Sequence, residues 1–383
     1  MTNINLDQVI PFSERQMQSP FTPKGTLPFG ELVSDHMFLM DYSNGEWHSP
    51  RIVPYGPLEI VDTKNYQNRV HVMPNTATLH YCQTVFEGAK AFQHPNGELY
   101  TFRIDENCKR LNHSARKLCM KEIPPEVQSK AINTLLDIER LWMPQQDNAS
   151  IYIRPFIFGT GGFLGVKSSV DYIFCTFLSP SGSYFPGGFE PIKLMLTDKH
   201  KRVAPKSVGT AKTGGNYAAS LEAAEKAKGL GAKQVLYMDV TDRFIEETGA
   251  MNVYMVTKDQ EIIIPEFTDT ILESITSRSF LELGDRLEYP VFQEKVLALD
   301  FVIDIALGEI TENGGLGTAA TVAPVGTQII DIGERKRTRL REMIVGDGQV
   351  GPVSKKMYDL LTGIQTGRYE APKDWVKKVE RRL

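Results

Sequence analysis

The chain has 383 residues, 41% of them hydrophobic, with 43 basic and 47 acidic side chains and a formal net charge of −4. That length supplies two domains, each with its own core, and the near-balance of charge offers no basic field for nucleic acid. No apolar run is long enough to cross a bilayer. The N-terminal MTNINLDQVIPFSERQ has neither a signal-peptide core nor the Arg-rich character of a transit segment. Cys82, Cys108, Cys119 and Cys175 form no CxxC pair, so neither a zinc site nor a disulfide framework is expected. Cys108 and Cys119 read as core positions. A reduced, cytoplasmic chain is the expectation.

Residues 1 to 30 are polar and proline-rich and are expected to wrap a surface. Alternation from His36 to Val61 around Ser43-Asn44-Gly45 predicts a hairpin, because Asn-Gly suits the tight turn between twisted strands. Thr76 to Phe92, TATLHYCQTVFEGAKAF, predicts a short helix or loop entering a strand. A second hairpin is expected at Pro95-Asn96-Gly97. Asp105 can cap a helix whose apolar positions Cys108, Leu111, Ala115 and Leu118 recur at helical spacing. Pro124-Pro125 ends it, and a second helix is expected from about Val127 to Trp142. SIYIRPFIF, from Ser150 to Phe158, and Tyr172 to Leu178 read as strands. SPSGSYFPGGFEP, from Ser179 to Pro191, is punctuation and is read as an interdomain linker; its Tyr184 and Phe185 suggest that it also lines a site.

A strand is expected at Ile192 to Leu196, then VAPKSVGTAKTGGNYAASL from Val203 to Leu221. There Lys212 lies among small residues ahead of Gly214 and Gly215. Lysine amines serve catalysis when a covalent bond to a carbonyl is needed, and the glycines allow close approach. Read alone, the stretch also fits a hairpin with a solvated lysine. A helix from Tyr217 to Gly229, a strand from Gln234 to Val240, and a strand turn in FIEETGAMNVYMVT follow, the last holding Glu246 and Glu247. A helix is expected from Asp269 or Thr270 to Leu283, another over Leu297 to Leu307, and then a glycine-rich turn in GEITENGGLGTAATVAPVG. A helix over Ser354 to Ile364 and a charged tail close the chain.

Several of these features suit an anionic, carbonyl-bearing cofactor. Phosphate sites are built from N–H groups at helix starts, with hydroxyls and an arginine. The helix start at Thr270 and the turn Gly315-Leu316-Gly317-Thr318 offer such groups, although each also reads as a simple cap or turn. Glu247 precedes a run that reads as buried, so its charge needs a partner. A protonated heteroaromatic nitrogen would be one. Arg154 lies inside an apolar strand, which also calls for a partner: a substrate carboxylate or a buried acid. Seven dispersed histidines form no HExxH pair, so no metal is expected.

Together HYCQTVFEGAKAF, FRIDENCKRL, IYIRPFIFG, SYFPGG, GTAKTGGNY, EETGAMN and GGLGTAATVAPVG resemble, in order and rough spacing, the branched-chain amino acid aminotransferases of the fold-type IV pyridoxal-phosphate enzymes. The resemblance covers about Phe29 to the C-terminus. It implies an α+β, two-domain fold, D-amino acid aminotransferase-like. A small N-terminal α/β domain would span 1–178, a linker lining the site 179–191, and a large cofactor-binding domain 192–383. It further implies pyridoxal 5′-phosphate as cofactor and transamination of L-leucine, L-isoleucine and L-valine with 2-oxoglutarate. A homodimer is implied, with sites between the domains and near the subunit interface.

Residue by residue, Lys212 matches the lysine of the internal aldimine, Tyr217 the partner of the cofactor phenolate, and Glu247 the partner of the pyridine nitrogen. Arg103 matches a phosphate ligand, and Ile275, Thr276 and Thr318 complete the phosphate cup. Phe29, Tyr81, Phe86, Tyr152, Arg154 and Tyr184 match the substrate pocket. Gly317, Thr318, Ala319 and Ala320 match the turn that receives the substrate carboxylate. Tyr81, Leu164 and Val166 match positions that reach the partner's site. Ala320 and Ala323 stand where animal members carry a redox CxxC, so thiol regulation of that kind is not expected. Glu273 and Ser274 replace a common Pro-Gly pair. D-amino acid aminotransferases and aminodeoxychorismate lyases resemble the chain around the lysine and stay open beside this reading, as does a catalytically silent module of the same fold.

Overall fold

The computed structural model describes residues 27, 29–56, 59–60, 70–146, 148–182, 189–333 and 340–381. The expected surface wrap lies almost wholly outside them, as do Tyr184 and Phe185. The chain divides into two compact units. One comprises Met1–Tyr184, Ala211–Gly214 and Gln365–Leu383; the other comprises Phe185–Thr210 and Gly215–Ile364.

The first unit is built on an eight-stranded sheet among the described residues. Its order from edge to edge is Val376–Lys378, Leu99–Phe102, Ala89–Gln93, Ser150–Gly159, Tyr172–Ser181, His36–Ser43 and Glu46–Pro54, with Thr84–Phe86 also pairing Ser150–Gly159. The Asn-Gly hairpin forms as expected: Ser43 pairs Glu46, and Asn44 and Gly45 both take positive φ, 52° and 88°, as the tight turn requires. The chain's charged tail is not merely solvated. Val376–Lys378 pairs antiparallel with Leu99–Phe102.

Two helices, Ile104–Lys117 and Pro125–Ile138, cover one face of this sheet. Cys108, Leu111, Ala115, Ile132 and Leu135 pack there against Val85, Ala89, Ala91, Ile151 and Ile153 in one buried cluster. Because strand side chains alternate, burying Val85, Ala89, Ile151 and Ile153 under the helices turns Phe86, Lys90, Tyr152 and Arg154 to the other face. Lys90 and Tyr152 are direct cross-strand partners. That division of faces positions half of the candidate site.

Three local expectations are corrected here. The first helix is entered from Arg103, in the left-handed conformation (φ 46°), and Asp105 lies in its first turn without serving as the cap. The second helix begins at Pro125, suited to a first turn that needs no N–H, and gives way to a short 3-10 turn at Arg140–Trp142. Cys119 is exposed because it follows the helix end with φ 55°.

The second unit holds a nine-stranded sheet among the described residues. Its order is Ile245–Thr248, Gln234–Met238, Ile192–Thr197, Thr321–Asp331, Ile310–Gly317, Asn252–Thr257, Ile262–Pro265 and Val291–Glu294, with Arg341–Ile344 pairing Thr321–Asp331. Alternation again sorts the faces. Met195, Val235, Tyr237 and Ile329 pack on Ala223 and Ala227 of the helix Leu221–Gly229. Leu196, Leu236, Met238 and Val253 pack on Phe301 and Ile305 of the helix Ala298–Leu307. The run expected as one helix from Tyr217 is two, Gly214–Ala219 and Leu221–Gly229. The glycine-rich segment expected as a turn is mostly strand, Ile310–Gly317, hairpinned to Thr321–Asp331.

Candidate active site

In the first unit the backbone of Lys212 is held by a hydroxyl and an N–H, and its amine lies over a ring. Its N–H donates to Ser114 Oγ at 2.9 Å, its carbonyl accepts from Phe86 N–H at 3.0 Å, and Nζ lies 4.9 Å from the centre of the Phe86 ring. Thr213 is fixed next to it by a bridge to Val85 and by its hydroxyl donating to the Thr84 carbonyl at 2.7 Å. The lysine therefore sits in a seat and not on a solvated hairpin.

The same sheet face gathers Phe29, Phe86, Tyr152 and Arg154. Phe29 meets Tyr152 edge-on at 4.9 Å. The Arg154 guanidinium lies 5.0 Å from the Phe86 ring centre and 5.3 Å from that of Tyr152, and its Nη2 donates to the Tyr152 hydroxyl at 3.1 Å. Arg154 Nε is buried without a hydrogen-bond partner among the described residues. A carboxylate would satisfy it, since such orphaned charged donors are costly. Tyr81 donates its hydroxyl to the Leu164 carbonyl and stacks on Phe163. Leu164 and Val166 are 78% and 85% exposed.

Arg103 is engaged with the C-terminal segment. Its N–H donates to the Trp375 carbonyl at 2.6 Å, and its guanidinium lies 4.4 Å from the Trp375 ring centre. Sequence reasoning missed the neighbouring arginine. Arg110, two turns along the helix, forms a paired contact with Glu87: Nε to Oε1 at 2.6 Å and Nη2 to Oε2 at 2.9 Å. Asn107 also donates to Glu87, at 2.8 Å. Asn107, Arg110 and Ser114 are spaced i, i+3, i+7, which places them on one helix face. That spacing, polar residues flanking the apolar stripe, was the available signal.

In the second unit Glu247 is 4% exposed. Oε1 accepts from the Leu272 N–H at 2.8 Å and faces Arg202 Nη2 at 3.0 Å; Oε2 accepts from Asn252 Nδ2 at 2.8 Å. Asn252 Oδ1 in turn accepts from the Ser277 hydroxyl at 3.0 Å, which ties the carboxylate to the helix Ile275–Glu282. That helix starts later than expected. Ser274 is its cap, accepting from Ser277 N–H, while the Thr270 hydroxyl donates to Glu246. Ile275 and Thr276 are buried in its first turn, where backbone N–H groups have no intrahelical partner. Asn252 pairs in register with Leu316, bringing the turn after Gly317, with Thr318, Ala319 and Ala320, to the same end of the unit. Tyr217 is half-buried on Gly214–Ala219. Adjacent Asn216 anchors that helix by donating to the Val208 carbonyl at 2.9 Å. Arg202 and Asn252 are further residues missed from sequence.

Glu246 and Glu247 leave their strand on opposite faces. Burial pushes the Glu246 carboxyl up, against the opposing pull of Thr270 and Arg202. Glu247 alone has the Arg202 contact and two N–H donors.

The first unit thus holds a seated amine and an arginine, and the second a buried carboxylate and a helix start with hydroxyls. A family model described as amino-transferase class IV matches residues 84–308, more than half of the chain, and the chain belongs to that family. It is 39% identical to branched-chain-amino-acid transaminase 1 of Bacillus subtilis (strain 168) over 357 residues, covering 92% of this chain and 94% of that one. It is 35% identical to a branched-chain-amino-acid aminotransferase of Mycobacterium tuberculosis over 380 residues, covering 98% and 97%. Among solved structures, the branched-chain amino acid aminotransferase of Escherichia coli matches with a TM-score of 0.69 at 25% identity, covering 91% of this chain and 100% of that one. The α+β fold of the fold-type IV aminotransferases is thereby established.

Proposed function

We propose that the chain is a pyridoxal-phosphate-dependent transaminase that moves the amino group of L-leucine, L-isoleucine or L-valine to 2-oxoglutarate, giving branched-chain 2-oxo acids and L-glutamate. The observation that carries the reading is the seat of Lys212 on the Phe86 ring, on a sheet face that also presents Tyr152 and Arg154. The chemistry of the donor sets fits pyridoxal 5′-phosphate: an amine for its carbonyl, a carboxylate for its ring nitrogen, and N–H and hydroxyl donors for its phosphate. When bound, that cofactor supplies an electron sink for the substrate Cα–H bond.

The chain's own residues do the rest. Lys212 would hold the cofactor through Nζ, and its amine would carry the substrate Cα proton across to the cofactor carbon. Glu247, itself fixed by Arg202 and Asn252, would keep a proton on the ring nitrogen. Tyr217 would donate to the phenolate oxygen. Ile275, Thr276 and Thr318 offer donors to the phosphate. Arg103 is the arginine the resemblance assigns there, and its guanidinium lies over the Trp375 ring, whereas Arg110 commits Nε and Nη2 to the Glu87 carboxylate. Phe29, Tyr81, Phe86 and Tyr152 would form apolar walls for a branched side chain, the resemblance assigns Tyr184 to the same role, and Arg154 would take the second carboxylate of glutamate or 2-oxoglutarate. Backbone groups from Gly317 to Ala319 receive the α-carboxylate.

A homodimer in which Tyr81, Leu164 and Val166 reach the partner's site belongs to the same reading, supported by the exposure of the two apolar side chains. So does a cytoplasmic location; among the described residues no helix is long and apolar enough to cross a membrane. The test compares amino donors with 2-oxoglutarate as acceptor, following glutamate. L-leucine is expected to support turnover and D-alanine not. Turnover with D-alanine and none with L-leucine would overturn the proposal in favour of the D-amino acid branch.

A further inference from the structure

Two glutamates, Glu246 and Glu247, stand side by side on the strand Ile245–Thr248, and both are buried. An arginine from another segment of the second unit tells them apart. Arg202 follows the strand Ile192–Thr197 and is 6% exposed. Its Nη2 donates to the Gly209 carbonyl at 3.1 Å and to the Thr270 carbonyl. The two carbonyls stand together because their segments touch. A Cβ built on Gly209 would lie 2.6 Å from the Asp269 carbonyl oxygen and 2.7 Å from Thr270 Cα. The Lys206 N–H adds a further tie, to the Asp269 carboxylate at 2.6 Å. So anchored, the same Nη2 lies 3.0 Å from Glu247 Oε1.

A charge persists in so dry a place only when paired, and the pairing here is unequal. Glu247 meets the guanidinium directly and accepts from the Leu272 N–H and Asn252 Nδ2 at 2.8 Å each. Glu246 takes the Thr270 hydroxyl instead. Its carboxyl stays pushed up by burial although Arg202 pulls the other way, with Asp239 and Lys201 acting on it in opposite senses. Arg202 also bears on Tyr237, whose hydroxyl burial pushes up to about 12. Held by backbone carbonyls on two segments, the planar guanidinium is a fixed charge whose place does not depend on the acid it faces. Its Nε is buried without a hydrogen-bond partner among the described residues, a cost that the ion pair with Glu247 offsets.

Resting on the transaminase reading above, we propose that Arg202 is the positioning residue that selects Glu247 over Glu246. A guanidinium fixed on the Gly209 and Thr270 carbonyls holds the Glu247 carboxylate as an anion in one orientation, the form that a protonated ring nitrogen requires. In this role Arg202 neither touches substrate nor transfers a proton.

The experiment uses the full chain as native protein, Arg202→Met, Arg202→Lys, Glu247→Gln and the double variant Arg202→Met with Glu247→Gln, each checked for folding by circular dichroism. The first readout needs neither cofactor nor turnover: urea unfolding of cofactor-free chains between about pH 5 and about pH 8. Without its cation, Glu247 takes up a proton in the fold and binds more protons folded than unfolded. Arg202→Met is therefore expected to unfold at lower urea than native at the upper pH, with the deficit shrinking as pH falls toward the ordinary glutamate value of about 4.3. The double variant is expected to lose that pH dependence. Its persistence there would put the titration on Glu246 and overturn the proposal, as would a deficit in Arg202→Met that is the same at every pH. The second readout is affinity for pyridoxal 5′-phosphate, expected to fall about tenfold or more in Arg202→Met, the scale of a lost charge-assisted contact, with Arg202→Lys recovering part of it. Native affinity in a folded Arg202→Met chain would overturn the proposal. If Arg202→Met does not fold, Arg202→Lys decides: a smaller deficit with the same pH dependence supports the role, and native unfolding at every pH overturns it. Absence of transamination in the native chain would instead defeat the functional reading, while the unfolding comparison would still judge the hold of Arg202 on Glu247.

Discussion

Arg154 is the residue on which acceptor recognition turns. One nitrogen is occupied by the Tyr152 hydroxyl and another, Nε, is buried without a partner among the described residues. Arg154→Gln is expected to raise KM for 2-oxoglutarate about tenfold or more, the scale of a lost charge-assisted hydrogen bond, and to change KM for L-leucine far less. Equal losses for both in steady-state assays would exclude the assignment. Arg103 is tested in the same way. Titration with pyridoxal 5′-phosphate should show affinity lowered about tenfold or more in Arg103→Gln, the scale of a lost charge-assisted hydrogen bond; native affinity would exclude the assignment. Lys90 makes a stability prediction. Burial pushes its amine down from 10.5 to about 8, so between those values the folded chain binds fewer protons than the unfolded one. Its penalty is full below pH 8 and fades as pH rises toward 10.5. Lys90→Met should therefore stabilise the chain at pH 7 by up to about 3 kcal/mol in urea unfolding, with the gain gone near pH 10.5. At this scale the sequence was legible where a residue type is out of place, as with Arg154 in an apolar strand. It was opaque where two equal residues adjoin. Only the strand's alternation separates Glu247, held by Arg202 and Asn252, from Glu246, which meets Thr270.

Among the elements, the strand Ala89–Gln93 is coupled to the site through the residue before it. A Cβ built on Gly88 would lie 2.0 Å from the Tyr152 hydroxyl, so Gly88→Ala must displace a proposed pocket wall. We expect KM for L-leucine to rise about tenfold while the fold persists, checked by kinetics beside circular dichroism. Periodicity located the helices and strands well, because burial under a sheet imposes it on Cys108, Leu111 and Ala115 or on Ile151 and Ile153. It misplaced helix starts, because several hydroxyls compete as caps. Thr270 donates to Glu246 and leaves the role to Ser274. Glycines misled in Ile310–Gly317 for a related reason. Gly314 and Gly315 lie in a strand where Tyr254 and Met251 fill the space of a side chain, a contact between distant segments that composition does not reveal.

For the whole molecule, the order of motifs carried more than any one of them. Lys212, Glu247 and the Thr318 turn are each ambiguous alone, and their succession pointed to the class IV aminotransferases before any fold was in view. What the linear order did not reveal is that Ala211–Gly214 and Gln365–Leu383 group with the first unit, since that depends on Thr213 bridging Val85 and Val376–Lys378 completing a sheet. If Leu164 and Val166 reach a partner, the double change Leu164→Asp with Val166→Asp should move the chain from dimer to monomer in sedimentation analysis and lower activity. The central claim is that Lys212 both holds the cofactor and moves the proton. The most direct measurement is the visible spectrum and L-leucine:2-oxoglutarate turnover of native chain and Lys212→Ala side by side. The account predicts that the variant loses the cofactor's lysine-bound absorption band and all turnover together; a folded Lys212→Ala chain that still transaminates L-leucine would contradict it.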